Sequence, residues 1–285
     1  MTDDLAGVLA EGRRILASAG VPTPTVDAEL LLAHLLRIGR GEVAVKAITG
    51  GAIDPEIASA FLGLVERRAA REPLQHLTGL APFRSLELHV GPGVFVPRPE
   101  TEGVAQLAID ALASRAEAEP IAVDLGTGSG ALALALATEV TRARVYAVEL
   151  SPEAAVWTRR NIASTGADVT LVVGDLASAL PELDGRVSVV VSNPPYIPVG
   201  MIPRDPEVRL HDPELALFGG DDGLDVIRSL STRALRLLVP GGTLVIEHGE
   251  EQGTVIRALL RADGWRGPAT HPDLTRRDRA TTATR

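Results

Sequence analysis

The chain has 285 residues and a formal net charge of −9; 45% of its residues are hydrophobic, 23% are charged and none is cysteine. These proportions are typical of a soluble globular protein, and they exclude a disordered, collagen-like or disulfide-stapled chain. The absence of cysteine also excludes a thiolate metal site and a cysteine nucleophile, and the acidic balance opposes non-specific binding of nucleic acid.

Charge and hydropathy also set expectations about location and metal binding. No apolar run approaches the roughly 18 residues that span a bilayer, so we expect no membrane-spanning segment. The acidic start, Met1-Thr2-Asp3-Asp4, lacks the basic residues with which signal and transit peptides begin, and this predicts a cytoplasmic protein. The six histidines include no i, i+4 pair, which argues against a zinc site.

The first 72 residues have the pattern of a small helical bundle. Leu5, Val8 and Leu9 recur near helical spacing, and Asp54-Pro55-Glu56 supplies an N-cap, a first-turn proline and an early acid for a helix to about Arg71. We predict a helical N-terminal domain over residues 1–72. It contains no candidate catalytic residues. A plain helical bundle accounts for the pattern, and the functional interpretation that we attach to it as a prediction is a substrate-docking domain.

The pattern changes over residues 73–99, for which we predict a β-hairpin linker. Leu74–Leu80 and Leu86–Val90 indicate its two short strands, with proline and glycine between and after them. A helix is predicted from about Glu100 to about Ala116, at the start of a third segment that runs to the end of the chain.

Over residues 100–285 apolar runs alternate with helical segments. The predicted strands are Ile121–Val123, Arg144–Leu150, Val169–Val173, Val187–Val191 and Thr243–Glu247. Such alternation predicts an α/β fold with a buried, parallel, doubly wound sheet. A sheet of this kind binds ligands at the carboxyl ends of its strands, so the polar residues found there are the candidates for function.

Three of these strand ends predict an adenosine-containing cofactor. Gly126-Thr127-Gly128-Ser129-Gly130 follows the first strand with GxGxG spacing, and glycine there lets the backbone approach a ligand closely. Glu149 ends the second strand, where an acid accepts the hydroxyls of a ribose. Asp175 follows the third strand, within reach of an adenine edge. Each motif alone also fits a tight turn or a solvated acid, and their combination favours the cofactor.

Asp124, just before the glycines, indicates which adenosine-containing cofactor fits the site. A carboxylate at this position repels the phosphates of a dinucleotide, and the turn also departs from the GxGxxG spacing of dinucleotide sites. The same carboxylate suits the ammonium and sulfonium groups of S-adenosyl-L-methionine. We therefore predict this methyl donor, with S-adenosyl-L-homocysteine as the product.

Asn193-Pro194-Pro195-Tyr196 follows the fourth strand. The two prolines fix φ and remove two backbone donors. The turn therefore presents acceptors, the Asn193 side-chain oxygen and the Pro194 carbonyl, which hold both protons of a planar NH2 group and turn its nitrogen toward an electrophilic methyl group. Tyr196 offers a flat face for stacking. We predict Asn193, Pro194 and Tyr196 as catalytic residues.

With these motifs the chain resembles S-adenosyl-L-methionine-dependent N-methyltransferases, and further runs make it similar to the HemK/PrmC-type protein-(glutamine-N5) methyltransferases of peptide chain release factors. These further runs are Asp27-Ala28-Glu29, Glu72 to Gly79, Val96-Pro97-Arg98-Pro99-Glu100-Thr101-Glu102, Glu247-His248-Gly249, Gln252-Gly253 and Asp273 to Arg279. The resemblance covers nearly the whole chain.

The resemblance implies a Rossmann-like class I methyltransferase sheet with a helical N-terminal domain and a β-hairpin linker. It implies methylation of the glutamine side-chain amide in the Gly-Gly-Gln motif of class I release factors. The methyl donor would contact Gly126, Thr127, Gly128, Ser129, Gly130, Glu149, Asp175, Leu176 and Asn193. The substrate amide would contact Asn193, Pro194, Pro195 and Tyr196. The family more often has Asp at Glu149 and an aromatic residue at Leu176. No metal, direct nucleic-acid substrate or membrane is expected, and we expect a monomer.

Two neighbouring motifs remain open. Arg98 and Glu100 either close the site and steer the substrate or form an ion pair at a helix start, and we assign His248 no role. The alternatives to a protein methyltransferase are an adenine methyltransferase of nucleic acids, a non-catalytic adenosine-binding module and an NAD-dependent oxidoreductase. A nucleic-acid adenine methyltransferase would need a basic recognition region, which the sequence lacks. A non-catalytic adenosine-binding module leaves the acceptor-rich turn unexplained. An NAD-dependent oxidoreductase would need the GxGxxG spacing and a proton-relay residue at the fourth strand, and the sequence has neither.

Overall fold

The computed structural model describes residues 3–285, which divide into two compact units. The first unit runs through Leu80 and also contains Pro203–His211; the second comprises Ala81–Ile202 and Asp212–Arg285. The boundary after Leu80 falls within the linker predicted over residues 73–99, which does not form a unit of its own. Residues 203–211, which we placed in the third segment, join the N-terminal helices.

Helices and strands alternate along the described residues. The helices are α1 (Leu5–Ser18), α2 (Pro24–Leu36), α3 (Arg40–Ile48), α4 (Pro55–Ala69), α5 (Leu74–Thr78), α6 (Thr101–Ala113), α7 (Ala131–Glu139), α8 (Pro152–Thr165), α9 (Pro206–His211), α10 (Glu214–Leu217), α11 (Asp225–Leu237) and α12 (Gly253–Ala262). The strands are β1 (Asp3–Asp4), β2 (Ala52–Ile53), β3 (Leu80–Phe83), β4 (Leu86–His89), β5 (Ile121–Leu125), β6 (Arg144–Glu149), β7 (Val169–Val173), β8 (Val187–Ser192), β9 (Leu238–Glu247), β10 (Arg266–Pro272) and β11 (Asp278–Thr284). Within residues 3–285 no helix combines the length and the apolar composition that crossing a bilayer requires.

Helices α1 to α4 enclose the core of the first unit. Leu9, Leu31, Phe61 and Val65 are buried there. The helix predicted from Asp54 is confirmed: α4 begins at Pro55, and Asp54 accepts a hydrogen bond from Glu56 N at 2.8 Å. The cap satisfies one of the backbone donors that every helix start leaves without an intrahelical partner.

A buried ion-pair network joins α9 to the other helices of the first unit. Arg68 Nε lies 2.7 Å from Asp27 Oδ2, and Arg68 Nη1 lies 2.7 Å from Glu207 Oε1. Arg71 Nη2 adds a third contact, 2.6 Å from Glu207 Oε2. Because the charges are buried, each carboxylate depends on its arginine partner for compensation.

The predicted strand Leu74–Leu80 is wrong, because most of it forms the short helix α5. Pro73 precedes this helix, Thr78 Oγ1 donates to Leu74 O at 3.1 Å, and Gly79 ends it with a φ of +74°. Leu77 is thereby buried in the helical core. The hairpin is formed instead by β3 and β4, and Pro82 is tolerated in β3 because a strand of a two-stranded sheet has a free edge.

The largest sheet in the described chain has seven strands in the order β10-β11-β9-β8-β5-β6-β7. Strands β5 to β9 pair in parallel at the predicted positions, whereas β10 and β11 are antiparallel and were not predicted. A purely parallel sheet is therefore wrong, and the sheet is mixed. The last two strands are made mostly of Thr, Ala, Pro and charged residues, and they lack the apolar runs from which buried strands are identified.

The central strands are buried on both faces. In β8, Val189 and Val191 belong to one core cluster and Val190 belongs to another. The same division holds in β5, where Ala122 and Val123 contribute to opposite clusters. This is why these strands are continuous apolar runs rather than alternating ones, and why polar residues appear only where the strands end.

Candidate active site

Two turns lie side by side at the carboxyl edge of the sheet. Strands β5 and β8 pair in parallel with Asp124 opposite Val191, and Ser192 Oγ donates a hydrogen bond to Leu125 O. The glycine turn begins at the next residue of β5, Gly126, and the Asn-Pro-Pro-Tyr turn at the next residue of β8, Asn193. The structure thus brings together two motifs that are distant in the sequence.

The glycine turn leaves open space for a ligand. Gly126 and Gly128 have φ values of +79° and +58°, in the left-handed region that favours glycine. A Cβ atom built on either residue meets no heavy atom within 4 Å. Gly126 N and Thr127 N both donate to Val148 O at 2.9 Å, which fixes the turn against β6.

Asp124 is fully buried at the end of β5. Its Oδ2 accepts hydrogen bonds from the Thr127 hydroxyl and from Ala133 N, whereas its Oδ1 has no hydrogen-bond partner in residues 3–285. Burial raises the pKa of Asp124 to about 7 despite these two hydrogen bonds. An unpartnered buried oxygen close to the open turn fits a ligand that has positive charge or hydrogen-bond donors.

Glu149 connects the end of β6 to the glycine turn. It is 7% exposed, its Oε2 accepts from Gly128 N at 2.7 Å and its Oε1 accepts from Ser151 N at 2.8 Å. Each carboxylate oxygen can accept a second hydrogen bond. Contact between Glu149 and ribose hydroxyls is compatible with this geometry and stays a prediction.

Asp175 and Leu176 follow β7 at the same edge of the sheet. Gly174 N donates to Glu149 O at 2.8 Å, which fixes the start of this segment beside β6. Asp175 is exposed, and its Oδ1 accepts from Ala177 N at 2.8 Å in a local turn, while Leu176 packs against the core. Contact of either residue with an adenine stays a prediction.

The Asn-Pro-Pro-Tyr turn is held in part by its own side chains. Asn193 is half-buried, and its Nδ2 donates to Thr101 Oγ1 at 3.5 Å, the long end of the hydrogen-bond range. The charged groups nearest the Tyr196 hydroxyl include those of Arg279 and Glu247. Burial and the nearby carboxyl group of Glu247 raise the pKa of Tyr196 to about 12, so the phenol is protonated at neutral pH.

The backbone after Asn193 is bound by later parts of the chain. Ile197 N donates to Leu217 O and Gly219 N donates to Ile197 O, both at 2.9 Å. Gln252 Nε2 donates to Tyr196 O, also at 2.9 Å. The turn is therefore held by two separate segments, residues 217–219 and Gln252, and does not depend on its prolines alone.

Gly219 and Gly223 contact this turn so closely that a side chain does not fit. A Cβ atom on Gly219 would lie 2.5 Å from Pro195 O, and one on Gly223 would lie 2.3 Å from Tyr196 O. The sequence pattern does not identify these supports as part of the site. The available signal is the density of glycine in Gly219-Gly220-Asp221-Asp222-Gly223.

Arg98 forms an ion pair with Asp212, not with an acid at the start of α6, which was one of the two interpretations left open. Its Nη2 lies 2.6 Å from Asp212 Oδ2, on a side chain that is fully buried, and its guanidinium lies 5.0 Å from the centre of the Phe95 ring. Glu100 is the residue before α6, and its side chain makes no capping hydrogen bond there. Asp212 is remote in sequence, so the pattern around Arg98 cannot reveal this partner.

His248 is fully buried after β9. Its Nδ1 lies 2.8 Å from Gly249 O, so Nδ1 carries the proton, and its Nε2 accepts from the Thr281 hydroxyl at 2.8 Å. Burial lowers the pKa of His248, which favours the neutral ring. A neutral imidazole with both nitrogens engaged gives no ground for a general base.

Comparison with known proteins now assigns the family. A model of the PrmC N-terminal domain matches residues 7–79, and a model of the methyltransferase small domain matches residues 85–200. A release factor glutamine methyltransferase of Streptomyces coelicolor is 52% identical over 98% of this chain and 97% of its own. The chain belongs to the release factor glutamine methyltransferase family. The resemblance based on the sequence motifs is thereby confirmed.

Two further similarities bear on fold and substrate range. A 4-amino-L-phenylalanine/4-methylamino-L-phenylalanine methyltransferase of Streptomyces pristinaespiralis is 42% identical over 94% of this chain and 91% of its own. A solved structure of a Thermus thermophilus 16S rRNA methyltransferase matches 72% of this chain and 49% of its own with a TM-score of 0.53 at 21% identity. The fold of the sheet domain is that of class I methyltransferases, as predicted.

Proposed function

We propose that the chain transfers a methyl group from S-adenosyl-L-methionine to the side-chain amide nitrogen of the glutamine in the Gly-Gly-Gln motif of class I release factors. One observation carries this proposal. An open glycine turn and an acceptor-rich Asn-Pro-Pro-Tyr turn lie on adjacent parallel strands, in a member of the release factor glutamine methyltransferase family.

The glycine turn is the site for the methyl donor. Backbone amides and open space at Gly126 and Gly128 allow close approach of the ligand, and the buried Oδ1 of Asp124 provides an unpaired acceptor for a cationic group. We assign the ribose to Glu149 and the adenine to Asp175 and Leu176. When bound, the donor supplies an electrophilic methyl group on a positively charged sulfur.

The Asn-Pro-Pro-Tyr turn binds the substrate amide. An amide nitrogen is a poor nucleophile because its lone pair is delocalised into the carbonyl group. Acceptors at Asn193 Oδ1 and Pro194 O hold its two protons and stabilise the positive charge that grows on nitrogen as the N–C bond forms and the C–S bond breaks. The nitrogen then loses one proton to water, and the donor leaves as the neutral thioether S-adenosyl-L-homocysteine.

The helical N-terminal unit is the candidate for docking the release factor. It contributes no residue to the turns described above, and its buried residues form a separate core. A docking role would affect the Michaelis constant for the release factor and leave the transfer of methyl to a short Gly-Gly-Gln peptide unchanged.

The deciding experiment compares acceptors under identical conditions. The chain is incubated with methyl-labelled donor and one of four acceptors: a class I release factor, the same factor with the Gly-Gly-Gln glutamine changed to alanine, duplex DNA, or 4-amino-L-phenylalanine. The last tests the reaction named in one relative. We expect label only on the unmodified release factor, and mass spectrometry should place it on the glutamine amide. Label on DNA or on the free amino acid, with none on the factor, would overturn the proposal.

A further inference from the structure

Helix α8 contacts the glycine turn through two buried polar side chains. Thr158 Oγ1 donates to Gly128 O at 2.6 Å, and Asn161 Nδ2 donates to Ser129 O at 2.9 Å. Both Thr158 and Asn161 are fully buried, so water does not compete for these hydrogen bonds. The carbonyl groups of two successive residues of the turn are therefore held by one helix.

The orientation of the Asn161 amide is fixed by strand β4. Its Oδ1 accepts from His89 N at 2.7 Å, and its Nδ2 donates to His89 O at 3.0 Å as well as to Ser129 O. An amide nitrogen has two protons, one for each of these carbonyl oxygens, and the amide oxygen has none to offer. A rotated amide would lose all three bonds, so Asn161 joins β4 to the glycine turn in one orientation only.

These bonds determine which way the peptide groups of the turn face. Within residues 3–285 no peptide bond is cis, and in a planar trans peptide the C=O of one residue and the N–H of the next point in opposite directions. Because Gly128 O is held toward α8, the N–H of Ser129 is directed away from α8. Gly128 N is bound as well, by Glu149 Oε2 at 2.7 Å. The peptide group between Gly128 and Ser129 can rotate only if the Thr158 bond breaks.

We propose that Thr158 and Asn161 are positioning residues for the methyl donor: from α8 they hold the carbonyl groups of Gly128 and Ser129 and thereby keep the glycine turn in the form that admits the donor. The inference rests on the proposed function, in which this turn binds S-adenosyl-L-methionine. Neither side chain contacts the donor in this scheme. Because the glycines of the turn restrict its backbone little, its order has to come from partners outside it.

The first test measures donor affinity by titration calorimetry in variants at Thr158. Thr158→Val keeps the shape and removes the hydroxyl, so the turn can relax and donor binding must restore its open form; the Kd of S-adenosyl-L-methionine should rise about tenfold. Thr158→Ser keeps the hydroxyl and should restore the affinity of the parent. The matched control is Thr138→Val, because Thr138 Oγ1 donates to Leu134 O at 2.8 Å within its own helix; its donor affinity should be that of the parent.

Asn161→Asp tests the second support. The change keeps the size of the side chain and the acceptor for His89 N, but it replaces the amide NH2 with an oxygen that faces the carbonyl oxygens of His89 and Ser129. Loss of both donated bonds should displace the turn, so the Kd of the donor should rise at least as much as in Thr158→Val. If Asn161→Asp does not fold, the two Thr158 variants decide the inference by themselves.

Kinetics and stability separate positioning from a merely structural role. In Thr158→Val the Michaelis constant for the donor should rise by a larger factor than kcat falls, because saturating donor restores the open turn. Urea denaturation gives the stability of each variant. Variants that are less stable than the parent but bind the donor with the affinity of the parent would show that the two residues only support the fold, and the inference would be wrong.

Failure of the proposed function gives a different result. A parent protein that binds the donor but labels no release factor contradicts the proposed substrate, and the donor affinities of the Thr158 variants then still decide the inference. A parent protein that binds no donor contradicts both.

Discussion

The turn that begins with Asn193 at the end of β8 presents hydrogen-bond acceptors, and its two prolines have no backbone N–H to donate. The place of this turn at a strand end makes it predictable from the sequence, as it does Glu149 at the end of β6. Thr101 is different, because it belongs to α6 and meets Asn193 only through packing. A pattern read along one strand contains no information about a side chain that arrives from another element.

Asn193→Ala tests the acceptor role at the site of transfer. Removal of one preorganised electrostatic partner should lower kcat by about two orders of magnitude or more, because the positive charge on the amide nitrogen loses its stabilisation. Donor affinity should remain nearly that of the parent, as measured by titration calorimetry. Transfer at the parent rate would show that the turn does not hold the substrate amide.

Glu149→Ala tests the donor site. The change removes the acceptor that Gly128 N and Ser151 N share, together with the predicted ribose contact, so donor affinity should fall about tenfold or more. Glu153→Ala, at an exposed glutamate in the first turn of α8, is the matched control and should leave donor affinity unchanged. Equal affinities in the two variants would remove Glu149 from the donor site.

At the scale of secondary-structure elements, the local sequence pattern fails to predict two features that tertiary contacts determine: the helix α5 and the role of residues 217–223. We predicted a strand over Leu74–Leu80, but burial of Leu77 among the N-terminal helices favours one helical turn. The segment after α10 has no regular pattern, yet its glycines contact the backbone of the Asn-Pro-Pro-Tyr turn. In both cases the deciding contacts lie outside the window that a local pattern covers.

Gly223→Ala tests the support of the turn by this segment. Gly223 and Gly241 both have positive φ values, +75° and +80°, but only the Cβ at Gly223 meets backbone, Tyr196 O at 2.3 Å. Gly241→Ala should cost about 1 to 2 kcal/mol in the free energy of unfolding, the penalty of a left-handed alanine. Gly223→Ala should cost more in urea denaturation and should also lower kcat, since Tyr196 must move. Equal stability of the two variants would contradict the close contact.

At the scale of the whole molecule, three buried acids should shape the dependence of stability on pH. Burial raises the pKa of both Asp124 and Glu247 to about 7. For Glu207, the contacts of its carboxylate with Arg71 and Arg68 outweigh burial and lower the pKa to about 2. The two raised groups contribute stability that is present below their unfolded pKa values and lost as pH rises through 7. Glu207 contributes stability that is present above its unfolded pKa and lost as pH falls through 2.

The change in stability near neutral pH can be measured with the Glu247→Gln variant. Between pH 5 and pH 8 the free energy of unfolding of the parent should fall by about 2 to 3 kcal/mol more than that of the variant, because both proteins ionise Asp124 but only the parent must also ionise Glu247. Urea denaturation followed by circular dichroism at the two pH values gives the comparison. Parallel changes in the parent and the variant would show that the carboxyl group is not desolvated.

The sequence by itself determined the chemistry and the class of the fold. Continuous apolar runs predicted the parallel strands, and polar residues can be tolerated only where such strands end, so the glycine turn, Glu149 and Asn193 were identifiable as a candidate site. Tertiary structure alone decided what accompanies them: the antiparallel pair β10 and β11, the return of residues 203–211 to the N-terminal helices, and the approach of Thr101 to Asn193. The physical reason is that hydrophobic periodicity is a local property of the chain, whereas the partner of a buried polar group is selected by packing between distant segments.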